Sequence, residues 1–519
     1  MIKEFDFILS PQEAFDENIY TPLVLKKLQL SQDRVNIVQI IRRSIDARSK
    51  NIKVNLKLQV VFDEPTFKNK TQKFNYQNVS HKPEIVIVGS GPAGLFAALK
   101  LIELGLKPII VERGKNVSDR KIDIAAINRD HIINPDSNYC FGEGGAGTFS
   151  DGKLYTRSKK RGDVDRILQI FHHHGADKNI LYETHPHIGT NRLPEIIKNI
   201  RNTIIEYGGE IHFNTRICDF IIEDNQIKGV TDQNNNQIIG QAVILSTGHS
   251  ARDIYELLKR RSIQIESKAF AMGVRVEHPQ QLIDSIQYHC KDRGDYLPAA
   301  NYNLVQQIKD RGVYSFCMCP GGFIVPAATG IEEVVVNGMS PAARNSQFAN
   351  SGIVVEIKLE DLQKYSKHQE LSGLKYQQDL ESFAFNNGLK NQTAPAQRLS
   401  DFTTNKTSSN LPDSSYIPGI ISSSLHNWLP KEIRERLQLG FKEFDRKMKG
   451  FLTNEAVILG VESRTSSPVR IPRNLLTLEH PQIKKLYPCG EGAGYAGGIA
   501  SSAIDGENCA KNIADSILK

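Results

Sequence analysis

The stretch PEIVIVGSGPAGLFAALKLIELGLKPIIVERG, residues 83–114, decides the expected fold of the chain. It opens with an apolar strand, IVIV, of the kind that is buried on both faces of a parallel sheet. Gly89, Gly91 and Gly94 follow in the spacing G-x-G-x-x-G, which permits a tight turn, lets a pyrophosphate touch the backbone and lets a helix pack against the strand. A second strand ends in Glu112, whose carboxylate is placed to accept hydrogen bonds from both hydroxyls of an adenosine ribose. The stretch therefore predicts a dinucleotide-binding Rossmann unit.

The segment KLYPCGEGAGYAGGIASSAIDG, residues 485–506, resembles the motif that closes the FAD domain of two-dinucleotide-binding flavoproteins. In that superfamily, long insertions interrupt the FAD domain, and a late strand ends in Gly-Asp, whose acid holds the ribityl chain. Gly490 and Glu491 stand here in place of Gly-Asp. A helix predicted to begin near residues 498–500 would aim the positive end of its dipole at the N1–C2=O edge of reduced flavin. The resemblance implies FAD as the dinucleotide.

Two further segments fit the same superfamily. QAVILSTGHSARD resembles the strand that returns the chain to the FAD domain, with Thr247 and Gly248 at its end. The preceding residues 210–240 alternate apolar strands with turn residues and predict a small β-meander, in which the backbone of Ile217 would flank the adenine. The glycine-rich segment 138–157 follows no Rossmann strand, so it is predicted to be a loop over the pyrophosphate and flavin and not a second nucleotide site.

As a whole, the chain resembles the bacterial FAD-dependent dehydrogenases of the NAD(P)/FAD-dependent oxidoreductase group, from about Phe5 to Ile517. The resemblance rests on GSGPAGLFAAL, EGGAGTFSDGKL, FAMGVRVEHPQ, YSFCMCPGG, GVESRTSSPVRI and YPCGEGAGYAGGI. It implies an α/β fold: a Rossmann-like, glutathione-reductase-like FAD-binding domain, an inserted β-rich cap domain and a small N-terminal α/β domain of ferredoxin-like type. The expected domains are 1–80 for the N-terminal domain, 81–264 and 453–519 for the FAD-binding domain, and 265–452 for the cap.

The motifs and the resemblance together indicate which residues surround FAD. These are Gly89, Gly91, Pro92, Ala93, Gly94, Glu112, Arg113, Gly145, Ala146, Gly147, Thr148, Ile217, Thr247, Gly248, Gly490, Glu491, Gly498, Ile499 and Ala500. Apart from the segments assigned to FAD, the sequence has no second Rossmann unit with G-x-G-x-x-G for NAD(P)H, so either a nicotinamide donor binds transiently or the electrons come from another donor. No metal site is predicted, because the consecutive residues His172–His174 face different directions on a helix and cannot share one ion.

Two pairs of residues are candidates for contact with a substrate. Arg464 and Arg470 precede the closing motif and could grip a carboxylate or phosphate with their guanidinium forks; contacts to the FAD pyrophosphate or between domains explain them equally well. Cys317 and Cys319 are two apart on a predicted strand and project from the same face. Core packing is favoured for them, a substrate-facing thiol is the next alternative, and a redox disulfide would require the strand to break.

The N-terminal region is basic: residues 21–75 hold twelve Lys or Arg against four Asp or Glu, within a chain of net charge +7. NIKVNLKLQVVF alternates apolar and polar residues, which predicts a half-buried strand with one face toward water. Such a surface could meet nucleic acid. However, the region has no RNA-binding signature with paired aromatic residues, so a solvated face or a contact within the protein is favoured.

Composition favours a cytoplasmic protein. Hydrophobic residues make up 39% and charged residues 24% of the 519 residues, as in ordinary globular proteins. No apolar run reaches membrane-spanning length, the first residues do not resemble a signal peptide, and an odd number of scattered cysteines, seven, indicates reduced thiols.

The predicted function is that of an FAD-dependent oxidoreductase that passes hydride through flavin N5 to or from a small-molecule substrate, with NAD(P)H as the favoured donor. A second hypothesis is a flavoprotein whose FAD is structural or sensory and whose basic N-terminal domain docks a partner or RNA.

Overall fold

The computed structural model describes residues 2–29, 31–63, 73–156 and 162–518. The N-terminal unit is an antiparallel sheet in the order β1-β3-β2. Its elements are β1 (Ile2–Leu9), α1 (Pro11–Phe15), α2 (Glu17–Leu28), β2 (Val35–Asp46) and β3 (Lys53–Phe62). The apolar side chains that alternate along β3 are buried against α2, as the sequence pattern predicts.

The expectation of a ferredoxin-like N-terminal domain is only half right. The order β1-β3-β2, with the helices between β1 and β2, reproduces the first half of that fold. A ferredoxin-like domain adds a second helix and a fourth strand after β3. Among the described residues between β3 and the next strand (63 and 73–83), there is neither a helix nor a strand.

A five-stranded parallel sheet follows and is completed by the end of the chain. The consecutive elements of its first part are β4 (Glu84–Val88), α3 (Pro92–Glu103), β5 (Lys107–Val111), α4 (Val117–Asp130), α5 (Val164–His173), α6 (Leu193–Glu206), β6 (Glu210–His212), β7 (Ile217–Glu223), β8 (Gln226–Asp232), β9 (Gln237–Ile239), β10 (Ala242–Leu245) and α7 (Arg252–Arg260). Strands β7, β8 and β9 form the predicted meander as a separate antiparallel sheet.

The next part of the chain builds a large antiparallel sheet. Its elements, continued to the end of the chain, are β11 (Glu266–Ser267), β12 (Phe270–Pro279), α8 (Gln280–Tyr288), β13 (Val305–Ile308), β14 (Arg311–Pro326), β15 (Val336–Met339), β16 (Phe348–Ile357), α9 (Ser372–Asn387), β17 (Ala394–Arg398), α10 (Leu399–Thr403), β18 (Ile420–Ser422), α11 (Leu425–Trp428), α12 (Lys431–Lys447), β19 (Val457–Glu462), β20 (Val469–Arg470), β21 (Leu486–Pro488) and α13 (Ile499–Ile517).

The strand orders show that segments distant in sequence complete both sheets. The parallel sheet has the order β21-β10-β4-β5-β6, so the last strand of the chain lies beside β10. The large sheet has the order β13-β14-β16-β12-β19-β17-β18, with β15 beside β14. The cap was expected to end at residue 452. Strand β19 begins after that residue but pairs with β12 and β17 of the large sheet. The antiparallel sheet therefore extends to Glu462.

Strand β4 shows why the parallel sheet forms the core. Ile85 and Ile87 pack into the cluster that contains α3 and α13, while Val86 and Val88 pack into the cluster on the opposite face. Both faces of the strand are thus covered, as the apolar run predicts. The closing helix α13 crosses α3 so closely that a Cβ at Gly506 would lie 2.0 Å from the carbonyl oxygen of Ala93.

Among the helices formed by the described residues, none has an apolar stretch long enough to span a bilayer.

Candidate functional site

One cavity lies where the carboxyl ends of the parallel strands β4, β5, β10 and β21 meet the large antiparallel sheet. The residues expected around FAD that line it are Gly89, Gly91, Pro92, Ala93, Glu112, Arg113, Gly145, Ala146, Gly147, Ile217, Thr247, Gly248, Gly490, Glu491, Gly498 and Ile499. Gly94, Thr148 and Ala500 are not among its lining residues. Of the substrate candidates, Cys317 and Arg464 line the cavity, whereas Cys319 and Arg470 do not. The opposite wall includes Phe316, Cys317 and Asn337 from β14 and β15.

The turn between β4 and α3 uses each glycine of the fingerprint differently. Gly89 has φ +100°, and a Cβ there would lie 2.6 Å from the carbonyl oxygen of Ser246. A Cβ on Gly94 would lie 2.0 Å from the Gly89 carbonyl oxygen, so this glycine permits the close packing of α3 on β4. Gly91 is the N-cap of α3, and a Cβ there would meet only the Cα of Gly145, at 4.0 Å. The helix N-terminus therefore opens onto free space with its first N–H groups available for an anion.

The glycine-rich loop closes over this turn and is held by Arg120. The Arg120 side chain is fully buried and donates four hydrogen bonds to backbone carbonyls, among them those of Glu143 at 2.8 Å and Gly145 at 2.9 Å. This brings Gly145, with φ +63°, against Gly91. Thr148 serves the same loop, because its hydroxyl donates to the Glu143 carbonyl and does not face the cavity.

Glu112 lines the cavity, but its carboxylate already has partners within the protein. One oxygen accepts hydrogen bonds from the backbone N–H and the hydroxyl of Ser90, at 2.9 and 2.8 Å. The other oxygen accepts from the N–H groups of Gly114 and Gly142, at 2.9 and 3.0 Å. A carboxylate offers about four acceptor positions, so all are used. The rotatable Ser90 hydroxyl is the donor that a ribose hydroxyl could replace, and the backbone donors show that Glu112 also joins three loops.

The neighbouring Arg113 shapes the end of the cavity beside Ile217. Its guanidinium lies 4.2 Å from the centre of the Phe141 ring, which is a cation–π distance. It also forms ion pairs with Asp136 at 2.7 Å and Asp253 at 3.0 Å. Arg113 therefore holds this wall in place through two ion pairs and a cation–π contact with Phe141.

The closing segment brings a second helix N-terminus to the cavity. Gly498 is the N-cap of α13 and, like Gly91, lacks a side chain to cap the first N–H groups. Upstream, the N–H of Gly490 donates to Asp505 at 2.7 Å, and Arg473 holds this aspartate with contacts of 2.6 and 3.0 Å. Glu491 lies on the cavity side, 3.5 Å from Nδ1 of His249. The closing motif is thus held from within α13.

Asp505 also belongs to a buried group with ligand chemistry. Among the described residues, Cys489, Asp505 and Cys509 bring one ligand atom each within 4.8 Å of one another. The Arg473 guanidinium stands beside Asp505 and Cys509. Because this cation already neutralises the carboxylate, the group acts as a support for Gly490.

The two arginine candidates have other partners. Arg464 is buried, and its guanidinium contacts Glu333 at 2.8 Å and Glu381 at 3.1 Å. Arg252 of α7 binds the same two glutamates, at 3.2 and 2.7 Å. The ion pairs of Arg464 therefore lie within the part of the chain that forms the antiparallel sheet, and Arg252 links the same two glutamates to α7. Arg470 packs near the Tyr495 ring, at 5.7 Å, away from the cavity.

Several residues of the site escape sequence reasoning. Arg120 and Asp505 act through buried hydrogen bonds to backbone groups that no motif marks. Phe316 and Asn337 come from strands distant in sequence. His249 had a signal, because it follows Thr247 and Gly248 directly and so had to lie at the end of β10.

Two family models agree with a flavin site. Residues 84–125 match the model of an FAD binding domain, residues 269–465 match the model described as "FAD-dependent protein, C-terminal domain-like", and residues 1–61 match a domain of unknown function. The chain is 40% identical to an uncharacterised protein of Clostridium beijerinckii, with 96% of each chain covered.

Solved structures match more distantly. The FAD complex of CtdE covers 84% of this chain and 85% of its own at 13% identity and a TM-score of 0.32. A geranylgeranyl bacteriochlorophyll reductase-like protein of Thermoplasma acidophilum covers 84% and 79% at 13% identity and a TM-score of 0.35. The glycine oxidase of Bacillus cereus covers 84% and 95% at 14% identity and a TM-score of 0.31.

The fold and the cavity define a flavoprotein. A glycine cradle with room for a pyrophosphate and two helix N-termini facing one cavity fit FAD, which is the cofactor. The chain belongs to the family of FAD-dependent proteins that it shares with the clostridial relative.

Proposed function

We propose that the protein is an FAD-dependent oxidoreductase that transfers hydride between a small-molecule substrate and its flavin. The observation that carries this proposal is the position of the cavity, which is bounded by the N-termini of α3 and α13 on one side and by Phe316, Cys317 and Asn337 on the other. The bound FAD supplies N5, the atom that accepts or gives up the hydride. In this proposal the antiparallel sheet is the cap of a glutathione-reductase-like arrangement, and the substrate enters between the cap and the cofactor.

The roles of the chain in this reaction are binding and electrostatics. The N–H groups after Gly91 hold the pyrophosphate, and the loop held by Arg120 covers it. The N–H groups after Gly498 favour negative charge on the flavin ring, which lowers the free energy of the reduced cofactor. We assign NAD(P)H as the donor, binding transiently, since the sequence has one nucleotide fingerprint and FAD uses it. The free thiols of all seven cysteines are in keeping with a cytoplasmic enzyme.

Anaerobic mixing of the purified holoprotein with NADH or NADPH tests the proposal. We expect the visible absorbance of the flavin to be lost on mixing and to return when a substrate accepts the electrons. The matched control is photochemical reduction of the same sample, which shows that the bound flavin is competent. A flavin that is reduced by light but by neither nicotinamide would exclude NAD(P)H as donor. A flavin that resists every donor would favour a structural or sensory FAD.

A further inference from the structure

The C-x-C segment of β14 departs from a regular strand. Phe316 pairs with Gly352 of β16, and Cys319 pairs with Asn350, so three steps along β14 match two along β16. A second shift of the same kind follows between Cys319 and Gly322. Between the paired positions, Cys317 has φ +46°, a left-handed conformation that is rare outside glycine. Bulges and such backbone conformations persist where the surroundings impose them, and they are frequent beside active sites.

The broken strand brings the two thiols together. The Cys319 thiol has one proton, which it donates to the Cys317 carbonyl at 3.3 Å or, when Cys317 is a thiolate, to the Cys317 sulfur. That hydrogen bond, with the nearby charges of Lys153 and Arg275, lowers the pKa of Cys317 although burial opposes it. The same contact and burial raise the pKa of Cys319. One thiol is thus prepared as a thiolate and the other as its proton-bearing partner.

Buried charges hold this arrangement. Arg275 is fully buried and donates to the Cys317 carbonyl at 2.9 Å and to the Cys319 sulfur at 3.5 Å. It forms an ion pair of 2.9 Å with Glu462, whose pKa burial raises to about 7. Lys153 donates to the carbonyl of Met318, the residue between the cysteines. The segment is therefore held at three consecutive residues by two cations.

The two thiols differ in access. Cys317 lines the FAD cavity together with Gly490 and Gly498, while Cys319 lies buried behind it. A nucleophile that faces a flavin cavity and a buried partner thiol beside it make up the parts of a redox pair.

We propose that Cys317 and Cys319 form a reversible disulfide that exchanges two electrons with the bound FAD, an inference that rests on the proposed oxidoreductase function. In the oxidation, the S–H bond of Cys319 breaks and one S–S bond forms with the Cys317 thiolate, while two electrons and one proton pass to FAD, which becomes FADH−. The reverse reaction returns the thiolate and the thiol. The chemical class of the outer substrate is then a small thiol or disulfide, which meets the pair at Cys317.

A reductive titration of the holoprotein with dithionite tests the pair independently of any nicotinamide. The sample is first oxidised with diamide and desalted. We expect wild-type protein to take up four electrons per FAD, two for the flavin and two for the disulfide. The variants C317S and C319S should take up two. The matched control C218S removes an exposed cysteine on β7 and should keep the wild-type count.

A second measurement needs no variant. Wild-type protein is oxidised with diamide, alkylated under denaturing conditions and digested, and the peptide that contains both cysteines is weighed. We expect a peptide lighter by two hydrogen atoms and without alkyl groups; pretreatment with dithiothreitol should give the doubly alkylated form. Uptake of two electrons by wild-type protein, or a doubly alkylated peptide after oxidation, would overturn the pair. Uptake of four electrons without any reduction by NADH or NADPH would uphold the pair and reject the nicotinamide donor.

Discussion

The two walls of the cavity differ in the chemical groups that form them. The wall on the parallel sheet consists mainly of backbone, with Gly91 and Gly498 leaving helix N–H groups free and Gly145 closing over them. The wall on the antiparallel sheet rests on buried charges, such as the ion pair of Arg275 with Glu462. The first wall suits an anion that stays bound. The second holds the backbone of residues 317–319, so in our proposal the difference separates cofactor binding from reactivity.

The largest effect should come from filling the backbone wall. In Gly91→Val the backbone, with φ −70°, accepts a side chain, and the Cβ has only the Gly145 Cα near it, so the protein should fold. The added methyl groups occupy the space that the pyrophosphate needs. We expect purified protein without flavin absorbance and with an unchanged circular dichroism spectrum. Gly312→Ala, at the start of β14, is the control. Full FAD content in the Gly91 variant would show that the pyrophosphate lies elsewhere.

The contrast between the walls also explains what the sequence could predict. The glycines of residues 89–94 act within one turn, so their spacing alone carries the geometry. The conformation of Cys317 depends on two register shifts against β16 and on Arg275, which lies on another strand. A regular strand was the simplest expectation for such a segment; Pro320, Gly321 and Gly322 signal that the strand can break just beyond the cysteines, but no residue of the segment marks the first bulge at Cys317. Sequence reasoning thus found the cofactor cradle and missed the arrangement of the thiols.

The second-largest effect is expected at a buried carboxylate, Glu381, which lies between two arginines. Glu381 is fully buried and accepts hydrogen bonds from Arg252 at 2.7 Å and Arg464 at 3.1 Å. Glu381→Gln leaves these guanidinium groups short of a negative charge, which should lower the free energy of unfolding by about 3–5 kcal/mol. Urea denaturation measures this loss. Glu256→Gln, at an exposed position on α7, the helix of Arg252, should change stability little.

The difference in stability between wild type and Glu381→Gln should depend on pH in a defined direction. Burial raises the pKa of Glu381, but the two guanidinium groups outweigh burial and hold it well below its usual range. A depressed folded-state pKa stabilises the protein above the unfolded value of about 4.3, and the stabilisation is lost as the pH falls through the folded value. The gap between wild type and Glu381→Gln should therefore be constant at neutral pH and narrow in acid. A gap that widened in acid would contradict the ion-pair account.

Glu112 lies on the backbone wall and should have a moderate effect. Glu112→Ala removes acceptors for Ser90, Gly114 and Gly142, and it removes the acceptor for a ribose hydroxyl. We expect FAD affinity to fall by about 1.5–3 kcal/mol, the value of a hydrogen bond to a charged group, as measured by equilibrium dialysis. His172→Ala, at a position that does not line the cavity, is the control and should retain FAD. Equal retention in both variants would mean that Glu112 supports neither the loops nor the ribose.

The smallest expected effect tests whether the charged wall acts on the thiols through its charge. Lys153 is half-buried, donates to the Met318 carbonyl and lies 3.7 Å from Asp151, whose own charge acts on Cys317 in the opposite direction. In Lys153→Gln the hydrogen bond to Met318 can be kept while the positive charge is lost. The pKa of the Cys317 thiol should then rise by about one unit, at the lower end of what a neighbouring charge produces.

The rate of iodoacetamide labelling at Cys317, followed by mass spectrometry of its peptide across the pH range, reports this pKa, because the thiolate is the reactive form. The labelling midpoint in Lys153→Gln should move to higher pH, whereas the exposed change Lys121→Gln should leave it in place. The larger contribution to the lowered pKa comes from the Cys319 thiol, so Cys319→Ala should move the midpoint further than Lys153→Gln does. A midpoint shifted by Cys319→Ala alone would assign the thiolate to the hydrogen bond and remove Lys153 from the account. An unshifted midpoint in both variants would mean that the bulged strand holds two ordinary thiols, and the difference between the walls would then be one of packing alone.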